Sequence, residues 1–188
     1  MYLKKVESCF NHWNENLLKL LTPTLLTFHA SYFKDHMKNL KFEIKFLNPK
    51  EKIPPQQEVS AVFLIALKDT SIIVIRNHRG WDIPAGHLEE KEGILEALQR
   101  EAREEASMTY THPIPFVLVF SDSEEQKYKG KCMIGFTTKE FELNDFVSAP
   151  DSSERKIMSI EEFLSLYEHD KMGMRSMIEK AHEILSDN

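Results

Sequence analysis

Residues 86–108 read GHLEEKEGILEALQREAREEASM, the most informative segment of the sequence. From about residue 93 to residue 106 its apolar spacing is that of an amphipathic helix, in which each residue turns the direction by about 100°. The spacing predicts a buried face made of Ile94, Leu95, Leu98, Ala102 and Ala106. The opposite face, which we expect to lie in water, carries Glu96, Gln99 and Arg103.

Three carboxylates fall together at one edge of the apolar face, those of Glu101, Glu104 and Glu105. Like charges three and four positions apart repel one another on a helix, and a place against the core adds a desolvation cost. A hard divalent cation such as Mg²⁺ takes oxygen ligands and makes the arrangement favourable. Arg100 is placed to orient one of these carboxylates or to pair with Glu96. The alternative interpretation is an ordinary acidic helix face in solvent.

The same stretch resembles the Nudix box, the signature of the Nudix hydrolase family. That pattern is a glycine, five residues, Glu, seven residues, Arg-Glu, an aliphatic residue, any residue, Glu-Glu, any residue, a glycine and an aliphatic residue. The matching positions are Gly86, Glu92, Arg100, Glu101, Glu104, Glu105 and Met108. The sequence departs from the family at Ser107, where the second glycine is expected, at Ala102, which is small for the aliphatic position, and at Ala85, which replaces a glycine before the box.

The resemblance implies an α/β fold, the Nudix α/β/α sandwich with a mixed β-sheet. We expect this domain to span residues 51–188 and the box to span residues 86–108. Residues 1–50 are expected to form a helical N-terminal extension, with a possible strand where Phe42, Ile44 and Phe46 alternate with charged residues.

Apolar runs bounded by turn residues predict the remaining elements. The predicted strands cover residues 59–67, 71–76, 116–120 and 132–141. Two polar segments are interpreted as a hairpin over residues 121–131 and an acidic loop over residues 144–155. The C-terminus is predicted to be helical over residues 160–185, with a break near Gly173.

The resemblance further implies hydrolysis of a pyrophosphate bond in a nucleoside diphosphate derivative, such as a nucleoside triphosphate, an ADP-sugar or a dinucleotide. Mg²⁺ or Mn²⁺ is the implied cofactor, because a bound metal neutralises phosphate oxygens and activates the attacking water. By position in the box, the implied metal ligands are the Gly86 carbonyl, Glu101, Glu104 and Glu105. Arg100 is expected to hold a glutamate in place, and Glu92 to brace the loop.

The general base is left open between three acids. Glu101 is one candidate, and Asp151 and Glu154 of the acidic loop are the others. Both loop acids can equally be ordinary surface acids.

Substrate contacts are expected just before the box. Arg76 and Arg79 are the candidates for contact with phosphates, and Trp81 is a candidate to stack on a base, although core packing also explains it. The chain has 24 basic and 30 acidic side chains and a net charge of −6. This balance argues against long nucleic acid as a partner, so we expect a small nucleotide derivative.

Composition excludes several other classes of protein. No apolar run approaches the length of a membrane helix, and the N-terminus lacks the apolar core of a secretory signal. Cys9 and Cys132 have neither metal-ligand spacing nor a disulfide framework, which favours a cytoplasmic location.

Three alternatives stay open. A non-catalytic Nudix-fold module that senses a nucleotide is the main alternative function, although such modules usually lose box carboxylates. An isomerase of isoprenoid diphosphates shares the fold and would need a reactive thiol, for which Cys132 is the candidate. The apolar stripes of the N-terminal extension make a homodimer an alternative to the monomer.

Overall fold

The computed structural model describes residues 42–48, 51–121 and 130–187. The predicted helices over residues 1 to about 40 lie outside this part of the chain, as do Cys9 and most of the predicted hairpin. The described residues belong almost entirely to one compact unit made of Glu43–Phe120 and Gly130–Asn188.

Strands and helices alternate along the described chain. The strands are β1 (Phe42–Phe46), β2 (Val59–Lys68), β3 (Ser71–Asn77), β4 (Gly80–Asp82), β5 (Ala85–His87), β6 (Met108–Tyr110), β7 (Ile114–Ser121), β8 (Cys132–Thr138), β9 (Phe141–Leu143) and β10 (Glu154–Ser159). The helices are α1 (Ile94–Ala106), α2 (Ile160–Leu166) and α3 (Lys171–Ser186), and a short 3₁₀ turn covers Gln56–Glu58.

The main sheet is mixed. Its strands follow the order β1-β7-β8-β2-β3-β10, with β4 added to β3 and β5 added to β2. β2 and β8 are parallel, whereas β7–β8, β2–β3 and β3–β10 are antiparallel. β6 and β9 form a separate antiparallel pair. The predicted strand at Phe42–Phe46 is therefore present and joins this sheet, while the predicted domain boundary at residue 50 stays a prediction.

The residues of β2 alternate between two apolar layers, as the two-residue repeat of a strand requires. Phe63, Ile65 and Leu67 pack in the cluster that includes the buried faces of α2 and α3. Val62, Leu64 and Ala66 pack in the cluster that includes α1. Helices thus cover both faces of the sheet, and the predicted α/β/α sandwich is confirmed.

A divergence between β2 and β3 positions the box. The two strands pair only beside their turn, where Leu67 lies opposite Ile72. Farther along, β2 pairs with β5 and β3 pairs with β4. The chain from β4 to β5 therefore enters between the diverging strands and delivers the first box residue next to α1.

Helix α1 begins after Gly93, whose N–H donates to the Glu96 carboxylate at 2.7 Å, and ends at Ser107. Its buried face is rotated relative to the prediction. Ala97 is fully buried, whereas Leu95 is 55% exposed. The prediction for Leu95 is wrong because the buried carboxylates of Glu101 and Glu105 occupy the other edge of the helix.

Several other element predictions need correction. The predicted strand over residues 132–141 is two strands, β8 and β9. The strand predicted over residues 116–120 begins earlier, at Ile114, and includes Pro115 at a bulge. The helical break falls between α2 and α3, and Gly173 lies inside α3 because Asp170 caps that helix by accepting from the Gly173 N–H.

In the described residues, no helix is long and apolar enough to cross a membrane.

Candidate active site

Arg100 is the centre of the hydrogen-bond network at the site. Its Nε and Nη2 donate to the two carboxylate oxygens of Glu92 at 2.8 and 2.9 Å, a bidentate pair. Nη1 donates to Glu101 at 2.6 Å and to Glu104 at 3.3 Å, and Nη2 also donates to the His87 carbonyl at 3.0 Å. Glu92, and not Glu96, is therefore the main partner of Arg100.

The Arg100–Glu92 pair fixes the loop before α1. Glu92 also accepts the N–H of Glu89 at 3.0 Å, so it holds the loop at two points, as the predicted bracing role requires. Hydrogen bonds from Arg100 keep the pKa of Glu92 below its ordinary value, and the Glu92 hydrogen bond raises the pKa of Arg100. Both groups therefore stay charged at neutral pH.

Glu101 lies directly against Gly86. A Cβ added at Gly86 would lie 1.8 Å from the Glu101 Oε1, so only glycine leaves room for this carboxylate beside β5. Glu101 is 9% exposed. Burial raises the pKa of its carboxyl, Arg100 opposes that rise, and the nearby charges of Glu104 and Glu92 add to it.

Glu105 is the second buried carboxylate, at 8% exposure. Burial raises its pKa to about 7, although the N–H of Ala85 donates to it at 2.8 Å and opposes the shift. The charges of Glu101, Asp82 and Asp151 raise the pKa further. In the described part of the chain no cationic side chain pairs with Glu105, so its negative charge lacks a counter-charge.

The end of α1 is held by the acidic loop. Ser107 adopts a left-handed conformation with φ 45° and ψ 46°, and its Oγ accepts the N–H of Val147 at 3.1 Å. The Ser152 hydroxyl donates to the Glu105 carbonyl, and Arg155 Nη1 donates to the Ala106 carbonyl at 2.7 Å. These contacts satisfy the free carbonyls at the helix end and compensate for the missing glycine.

The donor set suits a hard divalent cation. Three carboxylates and a backbone carbonyl supply oxygen atoms, and the charged form of the buried Glu105 has no cationic partner among the described residues. Among the described residues no three acidic, imidazole or thiol side chains already converge as a metal site. Arg100 Nη1 binds both the Glu101 and the Glu104 carboxylates. A cation would therefore have to share these carboxylates with Arg100.

The predicted substrate residues have different surroundings. Arg79 lies 3.4 Å from Asp82. Arg76 lies 3.8 Å from Glu154, one of the two candidate extra acids. The other candidate, Asp151, is near enough to Glu105 for its charge to raise the pKa of that carboxyl.

Sequence reasoning missed three residues near the site. Asp82 acts on Glu105 from β4, and its side chain is only 13% exposed. Ser152 and Arg155 bind the end of α1. Asp82 lies three residues before Ala85, whose N–H binds Glu105, so its closeness to the box in the sequence was the available signal. The contacts of Ser152 and Arg155 with the end of α1 join residues nearly fifty positions apart, so no local sequence pattern predicts them.

Cys132 is a poor nucleophile. It is 3% exposed, its Sγ lies 3.5 Å from the Glu58 carbonyl, and burial raises the pKa of its thiol. Reactive cysteines instead have a lowered pKa and an accessible sulfur atom. The environment of Cys132 therefore gives no support to the isomerase alternative.

Comparison with known proteins identifies the family. The sequence model of the NUDIX domain matches residues 26–181. This chain belongs to the NUDIX family. The predicted Nudix hydrolase resemblance and the predicted Nudix fold are therefore confirmed, and divalent metals are the usual cofactors of Nudix hydrolases.

Individual relatives of this Nudix protein are distant or partial. The 8-oxo-dGDP phosphatase NUDT18 of Danio rerio is 59% identical over 39 residues, which make up 21% of this chain and 12% of that protein. A NUDIX hydrolase from Nitrosomonas europaea has the same fold, with a TM-score of 0.53, 18% identity, and coverage of 66% of this chain and 89% of that one. A MutT protein from Bacillus halodurans gives a TM-score of 0.49 with 20% identity over 63% of this chain and 78% of its own.

Proposed function

We propose that this Nudix protein hydrolyses a pyrophosphate bond in a nucleoside diphosphate derivative and depends on Mg²⁺ or Mn²⁺. The observation that carries the proposal is the pair of buried carboxylates, Glu101 and Glu105, on the helix face that the Nudix box supplies. Burial of a carboxylate is costly because its charge loses contact with water, and among the described residues Glu105 has no cationic partner. A divalent cation supplies the missing positive charge.

Glu101, Glu104 and Glu105 would hold the metal together with the Gly86 carbonyl. The bound metal would neutralise phosphate oxygens and lower the pKa of the attacking water. Arg100 keeps the Glu101 and Glu104 carboxylates oriented, and Glu92 keeps Arg100 in place. The pairing of Glu105 with the Ala85 N–H fixes the second buried carboxylate against β5.

For the proton acceptor we favour Asp151 over Glu154, with Glu101 still a candidate. The charge of Asp151 reaches Glu105, and its neighbour Ser152 is bound to the Glu105 carbonyl. Glu154 instead lies between two cations, at 3.8 Å from Arg76 and 3.2 Å from Lys156. The Glu154 carboxylate is therefore already engaged in two ion pairs.

The substrate panel should begin with oxidised purine nucleotides. The partial relative from Danio rerio is named for 8-oxo-dGDP, and its short matching segment supports this order of testing. Nucleoside triphosphates, ADP-ribose, NADH and dinucleoside polyphosphates complete the panel.

The test measures phosphate and nucleotide release with Mg²⁺ and Mn²⁺ for the wild type and for Glu104→Gln. Glu179→Gln removes a carboxylate from α3, far along the chain from the box, and is the matched control. Metal-dependent release that disappears in Glu104→Gln and persists in Glu179→Gln supports the proposal. A folded wild type that releases nothing overturns it, and tight nucleotide binding without release would favour the sensing module.

Assembly and location stay predictions from the sequence. Size-exclusion chromatography with light scattering tests the homodimer, and a monomer at micromolar concentration would contradict it. Fractionation of cells tests the cytoplasmic location.

A further inference from the structure

Two cationic side chains lie close to the Trp81 ring. The Arg76 guanidinium carbon lies 5.8 Å from the ring centroid, and the Lys156 Nζ lies 4.8 Å from it. Both cationic side chains are more than half exposed, at 57% and 51%. The ring itself is partly buried against the apolar cluster that includes α2 and α3. A fixed aromatic surface thus supports two accessible positive charges.

Strand pairing builds this surface. Arg76 of β3 lies opposite Trp81 of β4 on one side and opposite Glu154 of β10 on the other. Cross-strand partners project from the same face of a sheet, so these three side chains form one row, and Lys156 follows Glu154 on that face. The arrangement therefore follows from the backbone register of three strands.

The two cations beside Trp81, Arg76 and Lys156, already bind a carboxylate. The Glu154 carboxylate lies 3.8 Å from Arg76 Nη1 and 3.2 Å from Lys156 Nζ, with 41% of its side chain exposed. Two cations and one anion leave an excess of positive charge in a chain whose net charge is −6. Exposed ion pairs contribute at most about 1 kcal/mol, so a phosphate with a higher charge can displace this carboxylate.

The surface lies beside the candidate active site. Trp81 lies four residues before Ala85, whose N–H donates to the Glu105 carboxylate at 2.8 Å. Four residues of extended chain span at most about 14 Å. The cationic surface therefore lies within about 14 Å, along the chain, of a residue that binds a box carboxylate.

We propose that Arg76 and Lys156, lying over the Trp81 ring, bind a phosphate group of the nucleotide substrate and that this phosphate displaces Glu154. The inference rests on the proposed function and assigns its substrate-binding residues. It gives Lys156 a role that the sequence did not indicate. It also favours Arg76 over Arg79, which pairs with Asp82.

The test is equilibrium binding of ADP to the full chain in EDTA, so that turnover plays no part. Titration calorimetry gives the affinity. Tryptophan fluorescence reports on Trp81 once Trp13 is replaced by phenylalanine. Lys156→Met and Arg76→Met remove one charge each and keep most of the side chain. Lys180→Met is the matched control, because Lys180 lies on α3 and pairs with Glu183 at 2.9 Å.

We expect Lys156→Met and Arg76→Met each to weaken ADP binding about fivefold or more, with no change in Lys180→Met. Glu154→Gln should strengthen ADP binding about twofold or more, because the internal competitor loses its charge. Adenosine, which lacks phosphate, should bind weakly to all variants.

The inference is overturned if both Lys156→Met and Glu154→Gln bind ADP with wild-type affinity. It is also overturned if adenosine binds as tightly as ADP, or if the wild type does not bind ADP. If the binding test fails but the wild type shows metal-dependent hydrolysis, the phosphate-binding inference is wrong and the proposed function stands. If Lys156→Met loses ADP binding but the wild type hydrolyses nothing, the binding residues stand and the proposed function is wrong.

Discussion

Replacing Ser107 by glycine, the residue that the Nudix pattern expects, separates two opposing contributions to stability. Ser107 has φ 45° and ψ 46°, and glycine adopts this left-handed conformation at a lower cost, by about 1 kcal/mol. The Ser107 Oγ also accepts the Val147 N–H at 3.1 Å, a bond whose loss costs about 1 kcal/mol. The Val147 side chain is 70% exposed, so water can reach this segment and moderate the loss.

We therefore expect Ser107→Gly to change the free energy of unfolding by less than about 0.5 kcal/mol. Ser107→Ala loses the hydrogen bond and keeps the strained conformation, so it should lose about 1 kcal/mol. Urea unfolding followed by circular dichroism measures both values, provided that the denaturant slopes agree. Hydrogen exchange at the Val147 amide should be faster in both variants.

Two results would refute this reasoning. A Ser107→Gly variant that is destabilised as much as Ser107→Ala would show that the left-handed conformation carries no cost. A Ser107→Gly variant that gains a full 1 kcal/mol or so would show that the Oγ hydrogen bond contributes nothing.

Three further predictions concern the box and the buried thiol. Arg100 lowers the pKa of Glu92 from 4.5, so the pair stabilises the fold above that pH and loses its effect as pH falls through the lowered pKa. Glu92→Gln should therefore cost about 2 kcal/mol at neutral pH and clearly less near about pH 3, and equal losses in urea unfolding at both would contradict this. Gly86→Ala should fold but displace the Glu101 carboxylate, weakening Mn²⁺ binding in calorimetry about tenfold or more, whereas wild-type affinity would show that the close contact is unimportant. Cys132, in a variant whose other cysteine is serine, should react with a thiol reagent only after denaturation, and rapid labelling of the native protein would disprove its protection.

The fold could be predicted where burial sets the pattern. β2 is apolar at nearly every position because helices cover both of its faces, and its predicted end differs from the observed one by a single residue. β10 has the polar sequence ERKIMS and lies at the edge of the sheet, so only its pairing with β3 identifies it as a strand. The short strands β4 and β5 have no pattern of their own, since each is defined by the longer strand that it extends.

The candidate site could be predicted where spacing along one helix fixes the geometry. The helical repeat brought Glu101 and Glu105 to one edge, and the structure places both in buried positions. The helical repeat could not reveal that Arg100 donates a hydrogen bond to Glu92, because that contact depends on the path of the loop before the helix. The row of Trp81, Arg76 and Glu154 was also hidden, since it joins three strands that are distant in sequence.

The parallel pairing of β2 with β8 has a consequence for synthesis on the ribosome. Val62 pairs with Ile134, so the most apolar strand of the chain is made long before its central neighbour. At about 5–20 residues per second, the interval is roughly 4–14 seconds. During that time β2 can pair with β3 and β5 and pack against the nascent α1, but the edge that pairs with β8 stays open. The newly made N-terminal half is therefore the form in which this protein most needs a chaperone.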